Sequence, residues 1–258
     1  MSGRLVIVGL GPGAPGLLTH DAEAALAGAS DILGYGPYLA RLSPLPGQRL
    51  HASGNRQELD RARAALGLAA SGKNVALVSG GDSGVFAMAS AVFEAIENGE
   101  AAWRALDVEV IPGITAMLAA SARLGAPLGH DFCAISLSDN LKPWSLVENR
   151  LRHAALGDFV IALYNPASRA RPWQLGAAFD LLRGILPPTV PVAFAQAISR
   201  PEERIEIFSL ATADPERADM RTLVIIGARA SRLIARPALI ERPAARPWLY
   251  TPRRASSA

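Results

Sequence analysis

Along the first half of the chain, short runs of branched apolar residues alternate with stretches whose apolar positions recur every three or four residues. Residues 4–10, 31–33, 74–79 and 107–111 read as strands buried on both faces, each stopped by Gly, Pro or Ser. Between them, 21–29, 58–70 and 88–98 read as helices, the second with Leu59, Ala62 and Leu66 on one face. This is the pattern of a parallel sheet covered by helices.

After Pro112-Gly113 a helix over 114–124 leads into Gly-Ala-Pro-Leu-Gly (125–129), and a second series begins. Its strands are 132–137, 159–164, 191–197, 204–208 and 222–226, with helices near 144–155 and 173–186. Arg-Ile-Glu-Ile-Phe (204–208) alternates strictly, which predicts an antiparallel strand with one wet face. The expected fold is α/β with two α/β domains. A mostly parallel sheet occupies 1–113, a connecting helix and linker 114–130, a mixed sheet 131–242, and a basic, flexible tail 243–258.

Composition narrows the class. Half of the 258 residues are hydrophobic and 19% are charged, which is too apolar for a disordered chain. No uncharged stretch approaches the roughly 18 apolar residues of a membrane helix, and the first apolar run, 5–10, is too short for a secretory leader. Cys133 is alone, so neither an internal disulfide nor a Cys-based zinc site is available. These observations predict a cytoplasmic protein with no membrane partner. The net charge is +3, but residues 229–258 hold seven Arg against Glu241, leaving the body acidic and unsuited to a nucleic-acid duplex. His20, His51, His130 and His153 are scattered without metal-ligand spacing, so a metal-free mechanism is expected. Only Lys73 and Lys142 are lysines among 26 basic residues, and guanidinium forks suit a ligand rich in carboxylates.

The loops after the strands carry the candidate chemistry. Gly9-Leu10-Gly11-Pro12-Gly13-Ala14-Pro15-Gly16 fits two dinucleotide-binding patterns, which keeps a nicotinamide-dependent oxidoreductase as an alternative. Against it, Pro12 and Pro15 remove amide donors that a pyrophosphate needs, and Leu33-Gly34-Tyr35 supplies no acid for a ribose. Gly81-Asp82-Ser83-Gly84 is similar to the nucleophile segment of trypsin-like proteases, but it follows a buried strand of an α/β unit, so a serine nucleophile is set aside. Asp82 is read as closing its own loop by an Asx turn in preference to acting as a general base. Arg56, Arg61, Arg169, Arg171 and Arg200 lie in or beside loops rich in small polar residues and could together line a cleft for a polyanion.

Three segments are recognisable as a set: Val-Gly-Leu-Gly-Pro-Gly (8–13) with Leu-Leu-Thr (17–19), Ser-Gly-Gly-Asp-Ser-Gly-Val-Phe-Ala-Met-Ala (79–89) and Ile-Pro-Gly-Ile-Thr-Ala (111–116). They resemble the successive signatures of the tetrapyrrole methylases, class III methyltransferases that use S-adenosylmethionine (SAM). Residues 125–132, 136–144 and 162–169 resemble one branch of that family, whose members methylate a tetrapyrrole of cobalamin biosynthesis and contract its ring. The resemblance spans roughly residues 4–230.

It implies SAM folded into a cleft between two α/β domains, S-adenosylhomocysteine as product, and a homodimer. Matching positions assign cofactor contacts to Pro12, Gly80, Gly81, Asp82, Val85, Thr115, Ala116 and Tyr164, with Ala197 and Thr222 following. Ser83 stands where many relatives carry proline. Ring contraction needs proton movements, for which Asp139, Lys142 and His130 are candidates, with Asp82 behind them. The acetate and propionate arms of the macrocycle would meet Arg56, Arg61, Arg169, Arg171 and Arg200, whereas the C-terminal arginines are excluded. Another methylase of the family, acting on a cobalt-containing or later intermediate, and a non-catalytic tetrapyrrole-binding module are the remaining alternatives.

Overall fold

The computed structural model describes residues 3–54, 57–237 and 245–254. The chain divides into two units, Met1–Ala116 and Met117–Ala258. The division falls inside the segment expected to connect two domains.

The first unit contains β1 (Arg4–Gly9), α1 (His20–Gly28), β2 (Asp31–Tyr35), α2 (Gly36–Leu39), β3 (Arg49–Ser53), α3 (Glu58–Ala70), β4 (Asn74–Ser79), α4 (Met88–Asn98) and β5 (Asp107–Ile111). Its sheet runs β3-β2-β4-β1-β5 with every pairing parallel. The inner strands β1, β2 and β4 are apolar without alternation because both faces are covered, whereas β5, expected to be buried on both faces, is an edge strand that is largely exposed apart from Ile111. Leu5, Ile7 and Leu77 pack with Ala62, Leu66 and Val92 of α3 and α4. Val6, Val8 and Val78 pack on the other side with Ala22 and Leu39 of α1 and α2. Each large side chain so buried contributes about 1.5–3 kcal/mol. The sequence reading missed β3 and α2. β3 is an edge strand whose residues stay largely exposed, so Leu50 and Ala52 leave no apolar run to read.

The second unit follows with α5 (Ala116–Leu124), β6 (Gly125–Ala126), β7 (Phe132–Ser136), α6 (Trp144–Leu156), β8 (Val160–Tyr164), α7 (Gln174–Arg183), β9 (Pro191–Gln196), β10 (Arg204–Ser209), β11 (Thr222–Ile226), β12 (Arg232–Arg236) and β13 (Ala245–Tyr250). Its main sheet, β10-β9-β11-β8-β7, is mixed: β7 and β8 are parallel, the other neighbours antiparallel. Val147 and Leu151 of α6 and Leu175 and Phe179 of α7 pack on Ile135, Ile161, Leu163, Phe194 and Val224. β10 is antiparallel as expected, but its wet face is partly covered, because Arg217 lies 4.5 Å above the Phe208 ring and pairs with Glu206.

The expected flexible tail is corrected over residues 245–254, the rest of it lying outside the described residues. β13 is the central strand of a third sheet, β12-β13-β6. Leu249 is fully buried, and Thr251 Oγ1 donates to Pro127 O at 2.6 Å. Pro247 sits where the ladder slips between Ile234 and Arg236, so its missing N–H interrupts no rung. Among the described residues no helix is long and apolar enough to cross a membrane.

Candidate functional site

Because β1, β4 and β5 are adjacent and parallel, the loops after their carboxyl ends emerge side by side. They are joined through backbone. Leu10 N donates to Ser79 O at 2.8 Å, and Gly11 and Gly81 exchange both of their amide bonds at 3.0 and 2.9 Å. Gly81 holds φ at +69°, a conformation that L side chains resist. The third loop closes on the same point: a Cβ on Gly113 would run into the Gly81 carbonyl, and one on Gly81 would lie 3.6 Å from Thr115 Cα. The three signature segments, far apart in sequence, therefore meet at one place in the first unit.

Asp82 ties them. Its Oδ1 accepts from Gly84 N at 2.8 Å, which is the expected Asx turn, and its Oδ2 accepts from Gly113 N at 2.9 Å in the neighbouring loop. Both carboxylate oxygens thus hold backbone. Ser83 is fully buried and its hydroxyl donates to Ile111 O at 3.2 Å, so it fills a seam and offers no nucleophile. The Tyr38 ring lies against Gly80, and Arg41 donates to Leu10 O at 3.2 Å. Neither Tyr38 nor Arg41 carried a readable signal, since both lie in the unrecognised segment around α2. Pro12 is buried, Val85 half-buried, Thr115 buried and Ala116 half-buried beside the same loops.

A groove of about 560 Å³ also opens on this unit, lined by residues including Arg4, Asp21, Asn74 and Glu109. Arg4 and Asn74 begin β1 and β4, so this groove lies toward the opposite end of those strands and meets the signature segments only at Ile111, the last residue of β5. Strand ends and glycines converge at the loops instead.

In the second unit Ser136, Tyr164 and Gln196 end β7, β8 and β9, while Thr222 begins the antiparallel β11, so all four share one end of the sheet. Tyr164 Oη accepts from Met117 N at 3.1 Å. Ala197 holds φ at +47° and donates to Arg221 O at 2.9 Å. The Thr222 hydroxyl donates to Asp219 Oδ1 at 2.9 Å and accepts from Asp219 N at 3.0 Å. Burial favours the protonated form of Asp219, but the Arg221 amide and the Thr222, Gln196 and Arg221 side chains outweigh it and hold its carboxyl below the usual range.

Asp139 and Lys142 lie in the loop after β7 at this end. Asp139 receives Gln174 Nε2 at 3.2 Å from each oxygen, and Lys142 Nζ donates to Ser138 O at 2.8 Å. Burial lowers the Lys142 ammonium's pKa, Arg150 and Arg171 lower it further, and Asp139 opposes them. Trp144 and Trp173 stack edge to face at 4.9 Å where α6 and α7 begin. The structure does not bring His130 together with Asp139 and Lys142. His130 precedes β7 and lies 3.6 Å from Asp131, so a five-residue strand, about 16 Å long, separates it from Asp139 and Lys142. Cys133 is no alternative nucleophile, since burial pushes its thiol up to about 11.

Two of the five arginines are turned into the fold. Arg61 is 5% exposed and donates to Ser53 Oγ and Gly54 O, both at 2.6 Å, which braces the loop after β3. Arg171 is 8% exposed and donates to Asn165 O at 3.3 Å inside its own loop. Spacing in sequence cannot distinguish a guanidinium that faces solvent from one that holds its own loop. Arg169 is exposed and Arg200 half-buried. Arg56 lies outside the described residues.

Residues 4–214 match the model of the tetrapyrrole (corrin/porphyrin) methylases. The chain belongs to this family. It is 56% identical over 253 residues to a precorrin-3B C(17)-methyltransferase of Sinorhizobium sp, covering 98% of this chain and 97% of that protein. It resembles the crystal structure of the methyltransferase CobJ with a TM-score of 0.90 and 51% identity, over 97% of this chain and all of that one. A uroporphyrin-III C-methyltransferase of Thermus thermophilus, solved with S-adenosylhomocysteine, matches at a TM-score of 0.67 and 27% identity, over 87% of this chain and 97% of that one. The oxidoreductase alternative finds no support among these methylases. In this methylase the glycine-rich loop after β1 is pinned to the loop after β4 instead of opening onto a helix N-terminus, as a pyrophosphate site would require.

Proposed function

We propose that this chain transfers a methyl group from SAM to C17 of precorrin-3B and contracts the macrocycle, giving precorrin-4 in cobalamin biosynthesis. The observation that carries the reading is 56% identity over almost the whole length of the Sinorhizobium precorrin-3B C(17)-methyltransferase. The joined loops of the first unit fit the cofactor. Gly81 leaves beside Thr115 and Ala116 a space that a Cβ would enter, bordered by the backbone of residues 114–116.

Bound SAM supplies a methyl already activated by its sulfonium, so no nucleophilic side chain is required. The chain's task is to bind and orient. Pro12, Gly80, Gly81, Val85, Thr115 and Ala116 are the proposed contacts on the first unit, with Asp82 contributing backbone while its carboxylate braces the loops. Rigid loops remove orientational freedom that would otherwise raise the barrier. On the second unit Tyr164, Ala197 and Thr222 are the proposed positions. Asp139 and Lys142 are the proposed proton-handling groups, and Arg169, Arg200 and Arg56 the proposed partners of the substrate's carboxylate arms. The enzyme acts without a metal of its own, as a homodimer in the cytoplasm.

Incubation with SAM and precorrin-3B, followed by mass spectrometry and NMR, should yield a product with one more methyl group and a contracted ring. An unchanged tetrapyrrole would overturn the reading. Calorimetry with S-adenosylhomocysteine should detect binding to the wild type and none to Gly81→Leu, and equal affinity would remove the second loop from the site.

A further inference from the structure

Asp139 is held in an unusual way. Gln174, the first residue of α7, is 1% exposed, and its Nε2 lies 3.2 Å from both oxygens of the Asp139 carboxylate. A single donor shared by both oxygens ties the carboxylate to the first residue of α7. The other end of the amide, Oε1, is buried without a hydrogen-bond partner. An orphaned buried acceptor costs stability, so an apolar residue of the same shape would serve the fold at least as well. The nearby cations are turned elsewhere: Lys142 donates to Ser138 O and Arg171 to Asn165 O. A neutral amide therefore orients this carboxylate, and no cation bonds to it directly among the described residues.

We propose that Gln174 is a positioning residue, a buried amide clamp that fixes Asp139 at the carboxyl end of β7 for the proton movements of ring contraction. The inference rests on the methyltransferase reading above and extends it to a residue with no visible role in sequence, where Trp173-Gln174-Leu175 reads as an ordinary helix start. The clamp links two segments 35 residues apart, so only the packing of α7 against the loop after β7 creates it.

The test is a kinetic double-mutant cycle on the full chain with Q174M, which keeps length and removes the amide, D139N, and the double variant. Q174M should lower kcat about tenfold or more while the KM for the tetrapyrrole and the affinity for S-adenosylhomocysteine stay within about twofold. In the D139N background Q174M should have little further effect, because the group it positions is already disabled. Full additivity of the two substitutions, or a Q174M that turns over like the wild type, would overturn the clamp. The same cycle read in urea unfolding covers a variant that folds poorly: coupling supports the clamp and additivity overturns it. A wild type that makes no product overturns the methyltransferase reading instead, while the unfolding cycle still decides whether Gln174 and Asp139 are coupled.

Discussion

At the strand ends of the first unit the chain touches itself through bare backbone: Gly11 against Gly81, Gly113 against Gly81 and Gly9. At those of the second unit it does so through side chains: Gln174 on Asp139, Asn165 on Ser136, Thr222 and Gln196 on Asp219. The sheets explain the contrast. A fully parallel sheet delivers consecutive carboxyl ends within about 5 Å of one another, so the loops meet directly and only glycine fits. A mixed sheet interleaves strand ends with strand starts, leaving gaps that polar side chains span. The first arrangement is intolerant of added atoms, and the second is sensitive to removed ones.

Gly113→Ala tests this with the largest expected effect. Its methyl has only backbone to displace, so urea unfolding should show a loss of about 3 kcal/mol and calorimetry a loss of S-adenosylhomocysteine binding. A variant as stable as the wild type would break the comparison. Next, Leu249→Ala should cost about 2–3 kcal/mol, since this fully buried side chain belongs to the third sheet of the second unit. A cost near zero would return residues 245–250 to the status of a dispensable tail.

The first unit also uses side chains, with Asp82 and Arg41 bracing the loops at the carboxyl ends and a denser cluster at the other strand ends. Asp31 is completely buried, with Ser30 Oγ at 2.9 Å, Arg49 Nε at 3.1 Å and His51 Nε2 at 2.8 Å, and so fastens edge strand β3 to β2. Burial alone would raise its pKa, but the hydrogen bonds from His51, Ser30 and Arg49 outweigh it and hold the carboxyl below its ordinary 3.8. A depressed folded-state value gives stability that is present above pH 3.8 and lost as the pH falls through the folded value. Asp31→Asn should therefore cost about 1–2 kcal/mol at neutral pH, and its gap to the wild type should narrow below about pH 4. A gap independent of pH would show that Asp31 acts by packing. The smallest effect is expected from Asp82→Ala, which unties the third loop and should weaken S-adenosylhomocysteine binding about tenfold, or 1.4 kcal/mol, with the melting temperature little changed.

Much was legible from sequence. Leu5–Val8 and Val75–Val78 announce strands buried on both faces, because continuous branched apolar runs have few other stable fates, and the order of such strands and helices predicts two α/β units. The family was legible too, from glycines and prolines at fixed places after those strands. What could not be read was which groups face one another. His130 and Asp139 are nine residues apart yet lie at opposite ends of β7, whereas Asp139 and Gln174 are 35 residues apart and bonded. Arg61 and Arg169 look alike in the chain, yet one is locked inside the fold and the other is exposed. Periodicity and composition are local and record what each segment must bury. Strand pairing, the antiparallel entry of β11 and the return of β13 to β6 are long-range choices, and they alone decide which buried polar atoms find partners and where the site's side chains converge.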